Sequence, residues 1–373
     1  MIIGVPKEIK NNEFRVGMTP DSVRQAIAHG HHVLVESRAG IGAGFTDQEY
    51  LAVGAEIKTT AAEVFSAAEM IVKVKEPQPI ECAMLRKDQI LFTYLHLAPA
   101  PKLTELLMQS GAVCIGYETV ENEQQRLPLL APMSEVAGRM SIQVGAHFLE
   151  ETYGGRGVLL GGVTGVEPAE VLILGGGTVG RNAIQMAVGL GANVTVLTHS
   201  SAKAERLKQE FGDKIRTGVS SPESISEAIM QADLVVGAVL VPGASAPKLI
   251  RKSQLKSMKP GAVLVDVAID QGGCFETSRP TTHQEPTFIV DGIVHYCVAN
   301  IPGAVPRTST LALNKATLPY ILKLADHGYK TALMADAGFL KGLNVMDGQV
   351  TCESVAQSLN LDYIEPIAAL THN

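Results

Sequence analysis

Two groups of residues in this 373-residue sequence have the types and spacing to do chemistry. The first is a glycine loop, Gly175-Gly176-Gly177-Thr178-Val179-Gly180, which follows the apolar run Val171-Leu172-Ile173-Leu174 and precedes a helix-like stretch over 181–188. It fits G-x-G-x-x-G, in which the first glycine permits a tight turn, the second lets the backbone approach a pyrophosphate and the third lets the helix pack closely. Unpaired N–H groups at the helix start then face the phosphates. The motif alone is weak, and a structural glycine turn is the competing explanation. The order strand, loop, helix and second strand at 194–197 favours the dinucleotide.

The second group is a set of polar residues that could meet at a cleft: Arg15, Lys73, Lys75, His96, Asp266 and Asp270. Lys73 and Lys75 alternate in a strand-like run and so share a face, for which a solvated sheet edge is the plainest explanation. His96 closes the run Ile90-Leu91-Phe92-Thr93-Tyr94-Leu95, where a hydrogen-bonded core histidine is commoner than a catalyst. Asp270 lies just past 263–269, at the carboxyl end of a presumptive parallel strand, where open α/β sheets bind ligands, although Asp-Gln-Gly-Gly is also a good turn. Arg15 sits in a polar loop whose default is solvent. His29, His31 and His32 lack carboxylate or thiol companions at ligand spacing, which predicts a helix end leading into a strand rather than a metal site. The chain carries no G-x-S-x-G, P-loop, H-E-x-x-H or catalytic-cysteine signature.

The elements that must position these residues read as an α/β protein. Short apolar runs at 2–5, 33–36, 70–74, 90–94 and 112–115 alternate with helix-like segments, including one after Thr19-Pro20, as in a parallel unit. Two prolines in Leu-Pro-Leu-Leu-Ala-Pro-Met-Ser over 127–134 mark a domain crossing, and Ser134-Glu135 reads as the capped start of a long helix. A second series of strands is predicted at 171–174, 194–197, 234–237, 263–267 and 294–298, and the residues after a second Pro-rich crossing at 301–306 read mainly as helix. The simplest arrangement is two Rossmann-like domains with parallel sheets and an active-site cleft between them. Residues 1–128 and 307–373 form a discontinuous substrate domain, and residues 129–306 form the dinucleotide-binding domain.

Composition narrows the classes. With 31 basic and 38 acidic side chains the net charge is −7, which argues against a nucleic-acid partner. At 46% hydrophobic and 18% charged the chain is neither disordered nor fibrous. No apolar run approaches the roughly 18 residues of a membrane span. The N-terminus has no basic and apolar leader pattern, and five cysteines at irregular spacing suggest neither a disulfide framework nor a zinc site. A reducing cytoplasm is the expected compartment.

With these residues in view, the chain resembles the bacterial alanine dehydrogenase family. The likeness is carried by Lys10-Asn11-Asn12-Glu13-Phe14-Arg15-Val16, Val72-Lys73-Val74-Lys75-Glu76-Pro77, Thr93-Tyr94-Leu95-His96-Leu97, the segment 130–138 and the segment 266–274. The resemblance implies reversible NAD-dependent oxidative deamination of L-alanine to pyruvate and ammonium. It implies that Arg15 and Lys75 bind substrate and that His96 and Asp270 are the acid/base pair. To the glycine-loop contacts at Gly175, Gly177 and Gly180 it adds cofactor contacts on Thr178, Ser134, Lys203, Ser220, Val239, Leu240, Val267, Ala268, Ile269, Asp270, Val298, Ala299, Asn300 and Ile301, and it implies a homohexamer. Two positions depart from the family. Thr198 stands where an acid normally reads the adenosine ribose, so Thr198 joins the cofactor set and NADP stays open beside NAD. Lys323, four residues before His327, stands where some members carry a glutamate for magnesium, so no metal is expected. Two alternatives compete: a nucleotide-binding subunit of a proton-pumping transhydrogenase, and a catalytically silent cofactor-binding regulator. The cationic pair together with His96 favours the amino-acid pocket.

Overall fold

The computed structural model describes residues 1–239 and 246–371. Their strands, in chain order, are β1 (Ile2–Val5), β2 (His32–Glu36), β3 (Glu56–Lys58), β4 (Met70–Val72), β5 (Ile90–Thr93), β6 (Val113–Gly116), β7 (Glu170–Leu174), β8 (Asn193–Thr198), β9 (Ile215–Val219), β10 (Leu234–Gly237), β11 (Val263–Asp266), β12 (Thr287–Val290), β13 (Ile293–Tyr296), β14 (Leu343–Met346) and β15 (Gln349–Val350). The chain divides into two compact units, Met1–Met133 with everything from Val305 onward, and Ser134–Ala304.

The first unit holds an eight-stranded sheet in the order β15-β14-β6-β5-β4-β1-β2-β3. Strands β1 to β6 pair in parallel, whereas β14 joins β6 and β15 joins β14 antiparallel. The central strands are apolar on both faces, as a parallel sheet covered by helices requires. From β1 the chain builds outward through β2 and β3, then returns to the other side of β1 with β4. The switch point between β1 and β4 is where such a sheet opens a crevice at its carboxyl ends.

The second unit repeats this logic with the order β12-β13-β11-β10-β7-β8-β9, in which only β12 is antiparallel. Its switch point lies between β7 and β10.

Three expectations need correction. β4 stops at Val72, so Lys73 and Lys75 lie beyond the strand rather than on its edge. The long helix starts at Ala131, not at Ser134 (Ala131–Phe148). Pro132 is tolerated there because the first turn of a helix has no use for its missing N–H. The helix after the glycine loop starts at Thr178 rather than at 181. The C-terminal stretch is mainly helical, as expected, and its two short strands β14 and β15 complete the first sheet and bury Val345 and Val350 in the same core as Phe65, Leu91 and Cys114.

Candidate active site

Every candidate residue of the first unit lies in a loop that follows a parallel strand, Lys73, Lys75 and His96 within three residues of the strand end and Arg15 further along. Arg15 follows β1, Lys75 follows β4 and His96 follows β5. The loop carrying Arg15 is fastened from far along the chain by the helix Pro306–Met334. Thr310 accepts the Val16 N–H at 3.4 Å, and Asn314 Oδ1 accepts the Thr19 N–H at 2.6 Å and the Ser22 hydroxyl at 2.9 Å. Arg15 is not solvated, being 2% exposed. Glu13 accepts from Arg15 Nε at 2.7 Å and Nη2 at 2.5 Å, while Nη1 lies 3.1 Å from Met133 Sδ. Burial opposes the guanidinium charge, but Glu13 outweighs it and raises the pKa.

Lys73 is fully buried, which overturns the solvated edge expected of it. Its ammonium donates to Glu81 at 2.6 Å and to Glu8 at 3.1 Å. Burial pulls its pKa down, yet the two carboxylates outweigh that and leave it raised, so the lysine stays charged. The same Glu8 accepts the Val74 N–H at 2.6 Å and the Lys75 N–H at 3.4 Å. The Tyr117 and Thr93 hydroxyls donate to the Lys73 and Lys75 carbonyls, each at 2.9 Å. The backbone under Lys75 is thus held on both edges, and Lys73 is the counter-ion of that scaffold. Burial works to raise the Glu76 carboxyl, but Lys75 and the Lys10 ammonium that donates to it hold it below its ordinary range.

His96 has φ +50°, a left-handed conformation that costs an L-residue roughly 1–2 kcal/mol. Its ring stacks on Tyr94, with centroids 5.8 Å apart and planes 11° apart. Tyr94 is anchored by donating its hydroxyl to the Leu129 carbonyl at 2.5 Å. Glu118, on the short turn after β6, accepts the N–H groups of Leu95 and His96 at 3.1 and 2.6 Å. Sequence reasoning missed Glu13, Glu8, Tyr94 and Glu118. Only Glu13, two residues before a candidate cation, left a readable signal.

In the second unit the glycine loop joins β7 to the helix Thr178–Gly189. Gly175 has φ +112°, and a Cβ there would lie 2.4 Å from the Ala238 carbonyl oxygen. A Cβ on Gly180 would lie 1.9 Å from the Gly175 oxygen, whereas one on Gly177 would meet nothing within 4 Å. The helix start has no side-chain cap. A turn only glycine can make, an open face at Gly177 and uncapped N–H groups fit a dinucleotide pyrophosphate.

At the end of β8 the Thr198 hydroxyl is buried and has no hydrogen-bond partner among the described residues. Ser200 caps the helix Ser201–Phe211, and the Lys203 side chain runs past Gly176. The Ser220 N–H donates to the Thr198 carbonyl at 2.8 Å. Val239 follows β10, while Leu240 lies outside the described residues. Val267, Ala268, Ile269 and Asp270 form the 3₁₀ turn Val267–Gln271 after β11, and Asp270 is exposed. Asp266 caps this turn by accepting the Ala268 N–H at 3.1 Å and reaches its far side through the Cys274 N–H at 2.9 Å. Val298, Ala299, Asn300 and Ile301 follow β13, and Ser134 lies in the helix Ala131–Phe148.

The histidine cluster does find a carboxylate in space. Asp326 lies 3.0 Å from His29 Nδ1 and 2.7 Å from His31 Nε2. Lys323 pairs with Asp336 at 2.9 Å. No group of three His, Cys, Asp or Glu suited to a metal ion is present among the described residues.

Two family models cover most of the chain: alanine dehydrogenase/PNT N-terminal domain over residues 4–137 and alanine dehydrogenase/PNT C-terminal domain over residues 141–353. An alanine dehydrogenase of Halomonas elongata is 56% identical over 98% of both chains. One of Methanococcus maripaludis is 56% identical over 99% of this chain and all of its own. The structure resembles a solved L-alanine dehydrogenase with a TM-score of 0.93 at 53% identity, covering 96% of this chain and 99% of the other. A transhydrogenase from Sinorhizobium meliloti, at 24% identity and a TM-score of 0.81, shares the fold. The chain belongs to the alanine dehydrogenase/PNT family.

Proposed function

We propose that the protein is an NAD-dependent alanine dehydrogenase, converting L-alanine reversibly to pyruvate and ammonium. The observation that carries this reading is the placement of Arg15, Lys75 and His96 in the loops that follow β1, β4 and β5 of one parallel sheet, with Arg15 and Lys75 buried. Substrate alanine presents a carboxylate, which buried cations bind through charge-assisted hydrogen bonds. Glu13 holds the Nε and Nη2 edge of Arg15. A carboxylate displacing the weak thioether acceptor at Nη1 therefore meets a guanidinium already fixed in orientation. Lys75, on its clamped backbone, completes the carboxylate and carbonyl end of the pocket.

Bound at the glycine loop, the nicotinamide cofactor supplies the acceptor for the hydride that leaves the substrate Cα. The resulting imine must take up water and expel ammonia, and each step moves a proton. We assign these transfers to His96, which accepts a proton from water as it adds to the imine carbon and returns it to the nitrogen as the C–N bond breaks, and to Asp270, which holds the polar intermediate and takes the hydroxyl proton as the carbonyl forms, that proton leaving with ammonia as ammonium. The cofactor is NAD, held through Gly175, Gly177, Thr178 and Gly180 with the neighbouring residues named above. With no acid at residue 198 to repel a 2′-phosphate, and with Ser200, Ser201, His199 and Lys203 as donors, NADP is the weaker second cofactor. No arginine stands between residues 197 and 205 to clamp that phosphate. The compartment is the cytoplasm, and no helix among the described residues is long and apolar enough to cross a membrane.

The test is a steady-state assay of the purified chain with pyruvate and ammonium, using NADH and NADPH in parallel. Pyruvate-dependent oxidation of NADH by the chain alone is expected. Hydride exchange between two nucleotides with no response to pyruvate would favour the transhydrogenase alternative. Use of NADP with ~tenfold higher kcat/KM than NAD, equivalent to about 1.4 kcal/mol, would overturn the cofactor assignment alone.

A further inference from the structure

We infer that Glu118 is the positioning residue that sets His96 for proton transfer. The inference rests on the reading of His96 as an acid/base group and concerns how a left-handed histidine is kept in place. Successive N–H groups flanking a left-handed residue form a concave anion site. Here the N–H groups of Leu95 and His96 form it, and the occupant is a side chain of the same unit. Glu118 Oε1 accepts from His96 at 2.6 Å and from Leu95 at 3.1 Å, and Oε2 lies 3.2 Å from the same Leu95 nitrogen. Without it, two N–H groups lose their acceptor and the φ of +50° at His96 loses the contacts that hold it.

Glu118 is itself braced. Its turn, Tyr117–Thr119, leaves β6, the neighbour of β5, the strand that His96 follows. Asn344 of β14 donates to Thr119 Oγ1 at 2.8 Å, and the Gly116 N–H donates to the Gly342 carbonyl at 2.7 Å. The chain from β14 through Glu118 to the His96 backbone to the imidazole is continuous. Because the carboxylate touches the backbone of His96, it sets where the ring stands rather than moving a proton itself.

The experiment compares Glu118→Ala, Glu118→Gln and His96→Ala in the full chain, reading kcat with pyruvate and ammonium and KM for NADH. An amide carbonyl can accept both N–H groups as Oε1 does, so Glu118→Gln should stay within about threefold of the parent kcat. Glu118→Ala should lose ~10- to 100-fold in kcat, the size expected for a displaced catalytic group, with KM for NADH within about twofold. Glu118→Gln as impaired as Glu118→Ala would show that the charge matters and overturn the positioning role. So would Glu118→Ala with kcat within about threefold of the parent. A parallel collapse of NADH binding would reduce the residue to general structure. His96→Ala with full turnover would instead remove the acid/base reading on which the inference stands.

Discussion

Lys73 and Lys75 are two residues apart, and their substitutions should fail in different ways. Removing Lys73 leaves Glu8 and Glu81 buried without their counter-ion. Breaking such a pair costs about 3–5 kcal/mol, so Lys73→Ala should unfold at clearly lower denaturant concentration or fail to accumulate. Lys75→Ala should keep a parent-like unfolding midpoint and lose turnover, because its backbone clamps do not involve its side chain. Denaturant titration beside steady-state kinetics separates the two, and a stable, active Lys73→Ala protein would contradict the buried triad. His96→Ala and Asp270→Asn should each lower kcat by ~100-fold or more, the usual worth of a general acid or base, with the fold and cofactor binding retained. Either one turning over normally removes that residue from the mechanism. The types of these residues were legible in the sequence, but their burial was not. Lys73 looks like a solvated lysine because its partners lie 65 residues upstream at Glu8 and 8 residues downstream at Glu81.

At the scale of elements, apolar runs gave the central strands to within a residue or two, because a strand buried on both faces advertises itself. β3 offers only Ile57 between two charged residues, and β14 interrupts its apolar run with Asn344, so neither has the pattern that marks a buried strand. Asn344 is nonetheless 1% exposed, its amide spent on Thr119 and the Gly342 carbonyl. The glycine loop was readable in full, since its steric demands are local. Gly175→Ala should weaken NADH binding at least about tenfold, because the new Cβ meets the Ala238 oxygen at 2.4 Å and a φ of +112° is costly for alanine. Cofactor fluorescence titration measures it, and unchanged affinity would mean the cofactor binds elsewhere. Thr198→Asp should raise the NAD to NADP ratio of kcat/KM by about tenfold by restoring an acceptor for the ribose and a repulsion for its phosphate. An unaltered ratio would place cofactor selection on the following helix instead.

For the whole molecule, the thiols give a test of packing that is independent of activity. Cys82, Cys114, Cys274 and Cys297 are buried, and burial pushes the Cys82 thiol up to about 11 and that of Cys297 up to about 12. Alkylation of the native protein near pH 8 should label only Cys352, the one cysteine with appreciable exposure. Rapid labelling of all five would mean the cores are open. The expected homohexamer rests on family resemblance, and light scattering that finds a monomer at micromolar concentration would contradict it.

The return of the chain to its first unit also dictates an order of events during synthesis. The Ser134–Ala304 unit is contiguous and can close as soon as it leaves the ribosome, whereas the sheet begun by β1 to β6 waits for β14, more than two hundred residues later. Throughout that interval β6 is an unpaired strand edge on an apolar sheet, which is the kind of surface that recruits other chains. Vectorial synthesis therefore exposes the older half of the molecule longest, and a nascent chain stalled after the helix Pro306–Met334 would be an aggregation-prone species even though its second unit is finished.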